Sequence, residues 1–290
     1  MIKFDDKVAV VTGAGRGLGR SHAELLASRG AAVVVNDRDA AAAKETVDSI
    51  TAAGGKAVAN SDDVVQGAED IVKTAIDNFG RLDIVVNNAG INTPTPFGPG
   101  AVDIIRKHME VNFFGTAAVT AAAWPHLLKS GNGRVVNTCS PTVVGWEGQS
   151  GYVVSKGAVY AFTRTLAMDA IKDGIRVNAI APTAYTRMAE EADLPQELKD
   201  QLKSTMTTAM VSPMVAYLAS DECSVAGEIL MTQGGLMQRM SIAMNEGYTN
   251  PDVTPEDIQE HIDQIEDDST AKPLGIVGSD DGTGLLDLFE

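Results

Sequence analysis

Two residues in the middle of the sequence have the types and the spacing for proton transfer at an alcohol. Tyr152 and Lys156 are four positions apart, so on a helix their side chains share one face. A free tyrosine has a pKa of about 10, which is too high for a base at neutral pH. A nearby ammonium group and a cationic nicotinamide ring would stabilise the phenolate and lower that pKa. The pair therefore suits the removal of a hydroxyl proton while hydride leaves the carbon of a secondary alcohol.

Two further side chains can complete such a site. The hydroxyl group of Ser140 can hold the substrate oxygen, and Asn112 can fix a water molecule that links Lys156 to solvent. Taken alone, a Tyr-x-x-x-Lys spacing is usually an exposed pair on a helix. Its position at the start of a predicted helix, after a predicted strand, is what favours a catalytic role.

A glycine-rich turn near the N-terminus has the composition of a phosphate site. Residues 7–12 read KVAVVT, which is typical of a buried parallel strand, and a helix is predicted over 20–29. Between them, residues 12–19 follow the pattern T-G-x-x-x-G-x-G. Backbone N–H groups at a helix N-terminus favour an anion, and glycine allows close approach to the backbone. The alternative is a tight turn that binds no ligand.

The end of the second predicted strand indicates which dinucleotide would bind. Asp37 lies 18 residues after Gly19. A carboxylate there can accept both hydroxyl groups of the adenosine ribose and would repel a 2′-phosphate, which favours NAD. Arg16 and Arg38 argue for NADP, because basic side chains can receive that phosphate. The carboxylate is the stronger obstacle, so NAD is the predicted cofactor and NADP the less favoured one. A helix N-cap is the other role that Asp37 can have.

The elements that must position these residues alternate regularly through residue 231. Further strands are predicted at 31–36, 56–60, 82–86, 134–138, 176–180 and 228–232. Further helices are predicted at 39–53, 64–79, 101–129 with a kink near Pro125, 151–172, and in pieces over 186–220. This alternation predicts an α/β fold with a single doubly wound, Rossmann-like parallel sheet of about seven strands and helices on both faces. Such a sheet binds its ligand at the carboxyl ends of the strands, near the switch point.

The negative charge of the chain is concentrated at its C-terminus. Residues 246–290 contain 13 acidic residues and one basic residue, which gives −12 of the net charge of −16. We therefore predict a dinucleotide-binding and catalytic domain, 1–240, and an acidic C-terminal extension, 241–290. In the extension, Thr254 and Pro255 predict a helix start, and 285–289 form an apolar patch that favours burial. The acidic balance disfavours nucleic acid, and the tail is interpreted as a solvated surface.

Other classes are disfavoured by what the sequence lacks. It has no apolar run of 18 residues, so neither a transmembrane helix nor a membrane partner is expected. Its two cysteines, Cys139 and Cys223, give no disulfide framework and no metal-binding spacing, so no metal is predicted. The first strand begins within seven residues of the N-terminus, so no signal peptide is expected. A cytoplasmic, reduced location is the prediction.

Together these motifs, in this order, resemble the short-chain dehydrogenase/reductase family. They are T-G-A-G-R-G-L-G at 12–19, Asp63-Val64, N-N-A-G at 87–90, Val111-Asn112, Ser140 and Y-V-V-S-K at 152–156. The resemblance covers about residues 5–237. Within the family, V-V-N-D at 34–37, G-G-K-A-V-A-N at 54–60 and A-P-T-A-Y-T-R-M at 181–188 are similar to the (3R)-hydroxyacyl-CoA dehydrogenase modules of multifunctional peroxisomal enzymes.

The resemblance implies roles for particular residues. The catalytic residues would be Asn112, Ser140, Tyr152 and Lys156. The cofactor site would be formed by the glycine turn, the ends of the following strands and the catalytic pair: Gly13, Arg16, Gly17, Leu18, Gly19, Asp37, Asp63, Val64, Asn88, Ala89, Gly90, Tyr152, Lys156 and Pro182. Asp63 would hold the adenine amino group. Family members commonly pair their two long helices, here 101–129 and 151–172, so a homodimer or homotetramer is expected.

The sequence departs from the family pattern in three places. Ser140 precedes Tyr152 by 12 residues, one fewer than usual, and Cys139 occupies the usual distance. We interpret this as a deletion within 141–145, because Ser140 still follows the strand, and a thiol is a poorer hydrogen-bond donor. Thr183 stands where the family usually has glycine after Pro182. The chain from about Ser241 extends beyond the family core.

The predicted function is an NAD-dependent oxidoreductase that interconverts a secondary alcohol and a ketone. The pocket is expected between 91–99, 141–146 and 185 to about 210, and the last of these segments, with the residues just after it, contains Met188, Met206, Met210 and Met214. Methionine adapts to apolar shapes, so a bulky apolar small-molecule substrate is predicted, of 3-hydroxyacyl-CoA or hydroxysteroid type. Helix packing is an equal explanation for these methionines. The alternatives are a non-catalytic NAD-binding or partner-binding protein, and another reaction on the same fold, such as dehydration or epimerisation.

Overall fold

The structure is a computed structural model that describes residues 1–185, 190 and 195–275. The chain divides into two units, and an eight-stranded sheet forms the centre of the first, Met1–Arg239. The strands are β1 (Val8–Thr12), β2 (Ala32–Asn36), β3 (Lys56–Asn60), β4 (Ile84–Asn87), β5 (Arg134–Thr138), β6 (Arg176–Thr183), β7 (Ile229–Gln233) and β8 (Leu236–Met240). Their order is β3-β2-β1-β4-β5-β6-β7-β8, and the pairs from β3 to β7 are parallel. The switch point therefore lies between β1 and β4. The predicted α/β, Rossmann-like fold is confirmed.

Helices pack around this sheet. The α-helices of this unit are α1 (Gly17–Ser28), α2 (Ala40–Ala52), α3 (Ala68–Phe79), α4 (Ala101–His108), α5 (Gly115–Ser130), α6 (Ser150–Ala170), α7 (Gln196–Thr205) and α8 (Ser212–Ala219). The strands beside the switch point consist mainly of Val, Ala and Ile, and β1, β2 and β4 are buried along their whole length. Strands covered on both faces need such apolar runs, which is why the sequence marked them clearly.

Helix α3 begins at Ala68, so the predicted start at Val64 is wrong. Asp63 explains the difference, because its Oδ1 accepts hydrogen bonds from the amides of Val65 (2.9 Å) and Gln66 (3.4 Å). Its carbonyl also accepts the amide of Gly67 at 2.8 Å. This local turn competes with helix, as Asp side chains commonly do.

The long helix predicted over 101–129 has its irregularity at Met109–Phe114, which forms a π-helix between α4 and α5. Pro125 lies inside α5 without ending it. The carbonyl of Asn112 accepts a hydrogen bond from the Thr116 hydroxyl at 2.9 Å, and Thr120 bonds the Thr116 carbonyl in the same way at 2.7 Å. These hydroxyl groups bond carbonyl groups at the junction of the π segment and α5.

The last part of the sheet is larger than predicted. Strand β6 continues to Thr183 instead of ending at Ile180, and Pro182 and Thr183 pair with β7. An eighth strand, β8, follows Gly234 and Gly235, which have φ values of 52° and 86° and reverse the chain. Its exposed residues Leu236 and Met237 show no apolar-polar alternation, so the sequence carried no strand signal.

The second unit, Met240–Glu290, contains helix α9 (Pro255–Ile265) and two short strands, β9 (Ala243–Met244) and β10 (Lys272–Pro273), which pair antiparallel. The predicted helix start is confirmed as a capping box. Thr254 Oγ1 accepts from the Asp257 amide at 3.2 Å, and Asp257 Oδ2 accepts from the Thr254 amide at 2.9 Å. The apolar patch at 285–289 lies outside the described residues.

Candidate active site

The glycine turn joins β1 to α1 in a shape that only glycine allows. Gly13 and Gly17 have φ values of 60° and 57°, which L side chains rarely adopt. A Cβ on Gly19 would lie 2.2 Å from the Gly13 carbonyl oxygen, so the first turn of α1 packs directly on the loop. Arg16, the N-cap residue, makes no side-chain cap hydrogen bond. The first N–H groups of α1 therefore have no side-chain cap, which fits a phosphate group.

Thr12 and Asn88 attach this turn to the end of β4. Thr12 Oγ1 accepts the amides of Asn88 (3.1 Å) and Ala89 (3.0 Å), and Asn88 Nδ2 donates to the carbonyls of Thr12 and Gly13, both at 3.0 Å. Asn88 and Ala89, both predicted site residues, thus lie directly beside the turn. Thr12 was missed as a functional residue, although its position at the carboxyl end of β1, before Gly13, was the available signal.

The ribose end of the site contains a carboxylate held by backbone amides. Asp37 Oδ2 accepts the Gly15 amide and Oδ1 accepts the Asp39 amide, both at 3.0 Å. The N-cap of α2 is Asp39, which accepts from the Ala42 amide at 3.1 Å, so the N-cap alternative for Asp37 is wrong. Asp37 therefore presents its carboxylate at the carboxyl end of β2, beside the glycine turn.

Both arginines of this region are paired with carboxylates. Arg16 Nη2 lies 2.7 Å from Asp39 Oδ2, and Arg38 Nη1 lies 3.6 Å from Asp63 Oδ2. The Arg16 hydrogen bond is one of the causes that lower the pKa of Asp39, although the amide of Ala42 contributes most. An uncapped helix N-terminus at the switch point, with the Asp37 carboxylate beside it, fits a dinucleotide.

The remaining residues predicted for the cofactor lie around the same edge of the sheet. Leu18 is half-buried against the core. Val64 is buried, and a Cβ on Gly115 would lie only 2.5 Å from its Cγ2. Gly90 lies between the two halves of the site, because a Cβ there would be 3.2 Å from Asn112 Oδ1 and 3.7 Å from Lys156 Nζ. Pro182 lies in β6, near its carboxyl end.

The structure brings together Ser140, Tyr152 and Lys156. Tyr152 is in the first turn of α6 and is hydrogen-bonded to Ser140, and Lys156 Nζ lies 5.8 Å from the centre of the Tyr152 ring. Lys156 is only 4% exposed, and its Nζ donates to the carbonyl of Thr138, at the end of β5, at 2.6 Å. This contact fixes the ammonium group between β5 and α6.

Burial dominates the electrostatics of the pair. It raises the pKa of Tyr152, while the hydrogen bond with Ser140 acts to lower it. It also lowers the pKa of the Lys156 ammonium to about 8. The sequence led us to expect a lowered pKa for Tyr152, but in the protein alone its pKa is raised. The reason is that removal of the phenol from water outweighs the effect of the neighbouring groups.

Ser140 and Cys139 face different surroundings. The Cys139 thiol is 1% exposed and lies 3.4 Å from the Lys156 carbonyl, and burial raises its pKa. The Ser140 hydroxyl accepts the Thr142 amide at 3.2 Å, caps the 3₁₀ turn Pro141–Val144 and contacts Tyr152. The hydroxyl group, and not the thiol, is therefore beside the phenol.

Asn112 lies in the π segment and is fully buried. Its Oδ1 accepts the Ile91 amide at 2.7 Å, and its Nδ2 donates to the Ile91 carbonyl at 3.0 Å and to Ser155 Oγ at 2.9 Å. The side chain thus joins the 91–99 loop to α6, whereas the sequence had assigned it the fixing of a water molecule.

Exposed apolar side chains lie on the segments expected to border the substrate. They are Phe97 in the 91–99 loop, Val144 and Trp146 after β5, and Met210 before α8. Met206 and Met214 are half-buried, and Met188 lies outside the described residues. Among residues 1–185, 190 and 195–275, no cluster of side chains could hold a metal ion. No helix in the same ranges has the length and apolar character needed to cross a membrane.

Comparisons with known proteins show which proteins this chain is similar to. Residues 7–197 match a family described as short chain dehydrogenase. The chain is 40% identical over 284 residues to a putative short-chain type dehydrogenase/reductase of Mycobacterium tuberculosis. This match covers 93% of this chain and 97% of that protein. It is 38% identical over 299 residues to the mouse peroxisomal multifunctional enzyme type 2, covering 97% of this chain and 40% of that enzyme. Among solved structures, a 7α-hydroxysteroid dehydrogenase complexed with NADH and 7-oxo glycochenodeoxycholic acid superposes with a TM-score of 0.75, at 32% identity, over 80% of this chain and 95% of that one.

Proposed function

This chain belongs to the short chain dehydrogenase family and is an oxidoreductase that acts on CH–OH groups, and we propose that it interconverts a secondary alcohol and a ketone with NAD. The observation that carries the proposal is the contact between Tyr152 and Ser140 beside the buried ammonium of Lys156. These groups follow the carboxyl end of β5, and the glycine turn follows that of β1. Because the strands are parallel, both lie at the same edge of the sheet.

Each catalytic side chain has a distinct task in this proposal. Tyr152 takes the hydroxyl proton during oxidation and returns it during reduction. Ser140 holds the substrate oxygen by a hydrogen bond, and Lys156 stabilises the phenolate as long as its ammonium group is protonated. When bound, the nicotinamide ring would accept or supply the hydride and add a positive charge beside the phenolate. Asn112 keeps the 91–99 loop against α6.

The preference for NAD is supported by the charges at the ribose end. Asp37 presents a carboxylate that would repel a 2′-phosphate. Arg16 and Arg38 could attract that phosphate, but their nearest carboxylates, Asp39 and Asp63, already pair with them. We therefore propose NAD as the cofactor, with NADP used less efficiently.

A bulky apolar substrate is proposed from the surroundings of the catalytic residues. Phe97, Val144 and Trp146 are exposed on segments beside Ser140 and Tyr152, and exposed apolar side chains of this kind suit an apolar ligand. The similarity to a multifunctional peroxisomal enzyme and to a hydroxysteroid dehydrogenase supports a 3-hydroxyacyl-CoA or a hydroxysteroid.

We also propose a domain organisation and an oligomeric state for the protein. Residues 1–240 form the dinucleotide-binding and catalytic domain, and 241–290 form the acidic extension. A homodimer or homotetramer is supported by exposed apolar side chains on the long helices, including Leu128 of α5 and Val154 and Met168 of α6. A cytoplasmic location stays a prediction.

The decisive experiment is a substrate panel with a matched pair of variants. The chain is incubated with 3-hydroxyacyl-CoAs and hydroxysteroids, with NAD and NADP separately, and reduced nicotinamide is measured. Tyr152→Phe is expected to lower kcat by about 10²–10⁴-fold, because the acid/base is lost, while NADH binding measured by calorimetry is retained. Tyr160→Phe removes the same atom two turns further along α6, from a buried side chain, and controls for stability.

Three results would contradict the proposal. Full activity of Tyr152→Phe would remove tyrosine from the mechanism. NADH binding without turnover on any alcohol would favour a non-catalytic binding protein. Product formed without a net change in nicotinamide absorbance would indicate dehydration or epimerisation.

A further inference from the structure

His108, the last residue of α4, is a buried side chain that the catalytic mechanism does not use. Its Nε2 lies 3.0 Å from the amide nitrogen of Thr93, which can only donate, so Nε2 is the acceptor. The proton of a neutral ring is then on Nδ1, which donates to the Ile104 carbonyl at 2.8 Å. Both ring nitrogens are therefore engaged, and the contact with Thr93 requires the neutral imidazole.

The same ring lies against the first turn of α6. A Cβ on Gly151 would be 2.7 Å from His108 Nδ1 and 3.2 Å from Cγ and Cε1. Only glycine therefore fits at this position, which directly precedes Tyr152. The imidazole thus contacts the backbone that carries the proposed acid/base.

Asn112 makes the equivalent pair of contacts one turn later. It bonds Ile91 in the 91–99 loop and Ser155 in α6, as His108 contacts Thr93 and Gly151. His108 and Asn112, which are four residues apart, therefore contact Gly151 and Ser155 of α6. These two α6 residues are also four apart and lie on either side of Tyr152 in the sequence.

The loop has a third attachment to the same end of α6. Thr95 is 1% exposed, and its amide donates to the Gly148 carbonyl at 2.6 Å. The Thr95 carbonyl accepts from the Ser150 hydroxyl at 2.7 Å. Alternate loop residues, Ile91, Thr93 and Thr95, are each held, and His108 supplies the middle attachment.

We propose that His108 is a positioning residue. It fixes the 91–99 loop through Thr93, and it fixes the position of the α6 backbone that carries Tyr152 through Gly151. The effects on the substrate and on Tyr152 rest on the proposed function, whereas the attachment of the loop by His108 does not. The two contacts use different atoms of the ring: Nε2 holds the loop, and the Cγ–Nδ1 edge faces Gly151. Loss of the first contact should affect substrate affinity, and loss of the second should affect kcat.

Two amide side chains can separate these contacts. The terminal amide atoms of asparagine are two bonds from Cβ, as Nδ1 is, so His108→Asn keeps the edge at Gly151 and the donor to Ile104 but removes the acceptor for Thr93. The terminal amide atoms of glutamine are three bonds from Cβ, as Nε2 is, so His108→Gln keeps an acceptor for Thr93. His108→Ala removes both contacts.

The first measurement is hydrogen exchange at the amides of residues 91–99, which does not depend on turnover. His108→Asn should speed exchange at Thr93 about five- to tenfold, the effect of one hydrogen bond, while His108→Gln stays near the wild-type rate. His22→Asn is the control, because His22 is equally buried and bonds Ser212, away from the loop. It should lose stability without a change in exchange at 91–99.

The second measurement separates KM from kcat. We expect His108→Asn to raise KM for the alcohol about five- to tenfold with kcat nearly unchanged, His108→Gln to restore KM, and His108→Ala to lower kcat as well. Equal KM values and equal exchange rates for His108→Asn and His108→Gln would overturn the proposal. If the wild-type chain shows no turnover, the proposed function fails, and the exchange measurement still decides whether His108 holds the loop.

Discussion

At the scale of single residues, the site depends on which of two neighbours faces the phenol. Successive residues of an extended chain point to opposite sides, so Cys139 and Ser140 cannot both face Tyr152. Cys139 is directed at the Lys156 carbonyl and is sealed in the core, and Ser140 contacts Tyr152. A loop shortened by one residue after Ser140 is consistent with this arrangement, because Ser140 still follows β5 directly.

Ser140→Ala and Cys139→Ala test this assignment as a pair. We expect Ser140→Ala to lower kcat by roughly 10²-fold, the lower end of what a positioned catalytic group supplies. Cys139→Ala removes a small buried side chain and should keep kcat within about threefold, with a stability loss of about 1 kcal/mol. Steady-state rates and urea unfolding of both variants provide the comparison. The reverse order of activities would show that the thiol is the functional group.

Local spacing was enough to predict part of the site. Tyr152 and Lys156 share a face because helical periodicity converts a spacing of four into proximity, and the glycine turn is encoded within eight consecutive residues. The contact of Lys156 with the Thr138 carbonyl and the pair Arg16–Asp39 join residues 18 and 23 positions apart. Such contacts depend on how strands and helices pack, so no local pattern announces them.

At the scale of elements, too, features with a local sequence signal were predicted and features set by individual side-chain contacts were not. Strands with continuous Val and Ala runs, such as β1 and β2, were predicted within one residue, because burial on both faces leaves a clear signal. The start of α3 was not predicted, since the Asp63 side chain bonds the backbone there, and the π segment was not predicted either. The turns after β1 and β2 are coupled in a similar way, through Arg16 and Asp39.

Asp39→Asn is the prediction for these two turns. Asparagine is also a good N-cap, so α2 should keep its start, while the charge that pairs with Arg16 is removed. Both partners are partly exposed, at 59% and 41%, so the pair is weak and stability should change little. The freed guanidinium should raise kcat/KM for NADP about three- to tenfold, with little change for NAD. Asp48→Asn, which breaks an exposed pair with Lys44 on the same helix, is the control, and an equal gain there would refute the explanation.

At the scale of the whole molecule, acid sensitivity should come from a buried histidine that joins two helices. His22 of α1 is fully buried, and its Nδ1 lies 2.8 Å from Ser212 Oγ at the start of α8. Burial lowers the pKa of His22 from 6.5 to about 3. The unfolded chain therefore binds a proton below pH 6.5 that the folded chain does not bind, and folding stability falls as the pH decreases from 6.5 towards 3.

His22→Gln should remove this dependence. At pH 5 the wild-type protein is expected to have lost about 2 kcal/mol of its free energy of unfolding through His22, relative to neutral pH. The variant should be less stable at pH 7, because a buried side chain is repacked, but its free energy of unfolding should change less between pH 7 and 5. Urea unfolding at both pH values measures the difference. An equal loss in both proteins would assign the acid sensitivity to other groups.

The π segment, Met109–Phe114, has a consequence for which sequence changes the protein can accept. Each residue of an α-helix advances the chain by about 100°, so one residue added or removed rotates everything beyond it by that angle. His108 lies just before the segment and Asn112 lies within it. Both side chains contact the 91–99 loop and α6, which requires the present rotation of one residue relative to the other about the helix axis. A single-residue deletion here would restore regular helical bonding and turn one of the two side chains away from its partners. Length is therefore constrained in this stretch, whereas the exposed loop at 97–100 can change length without altering the helical phase.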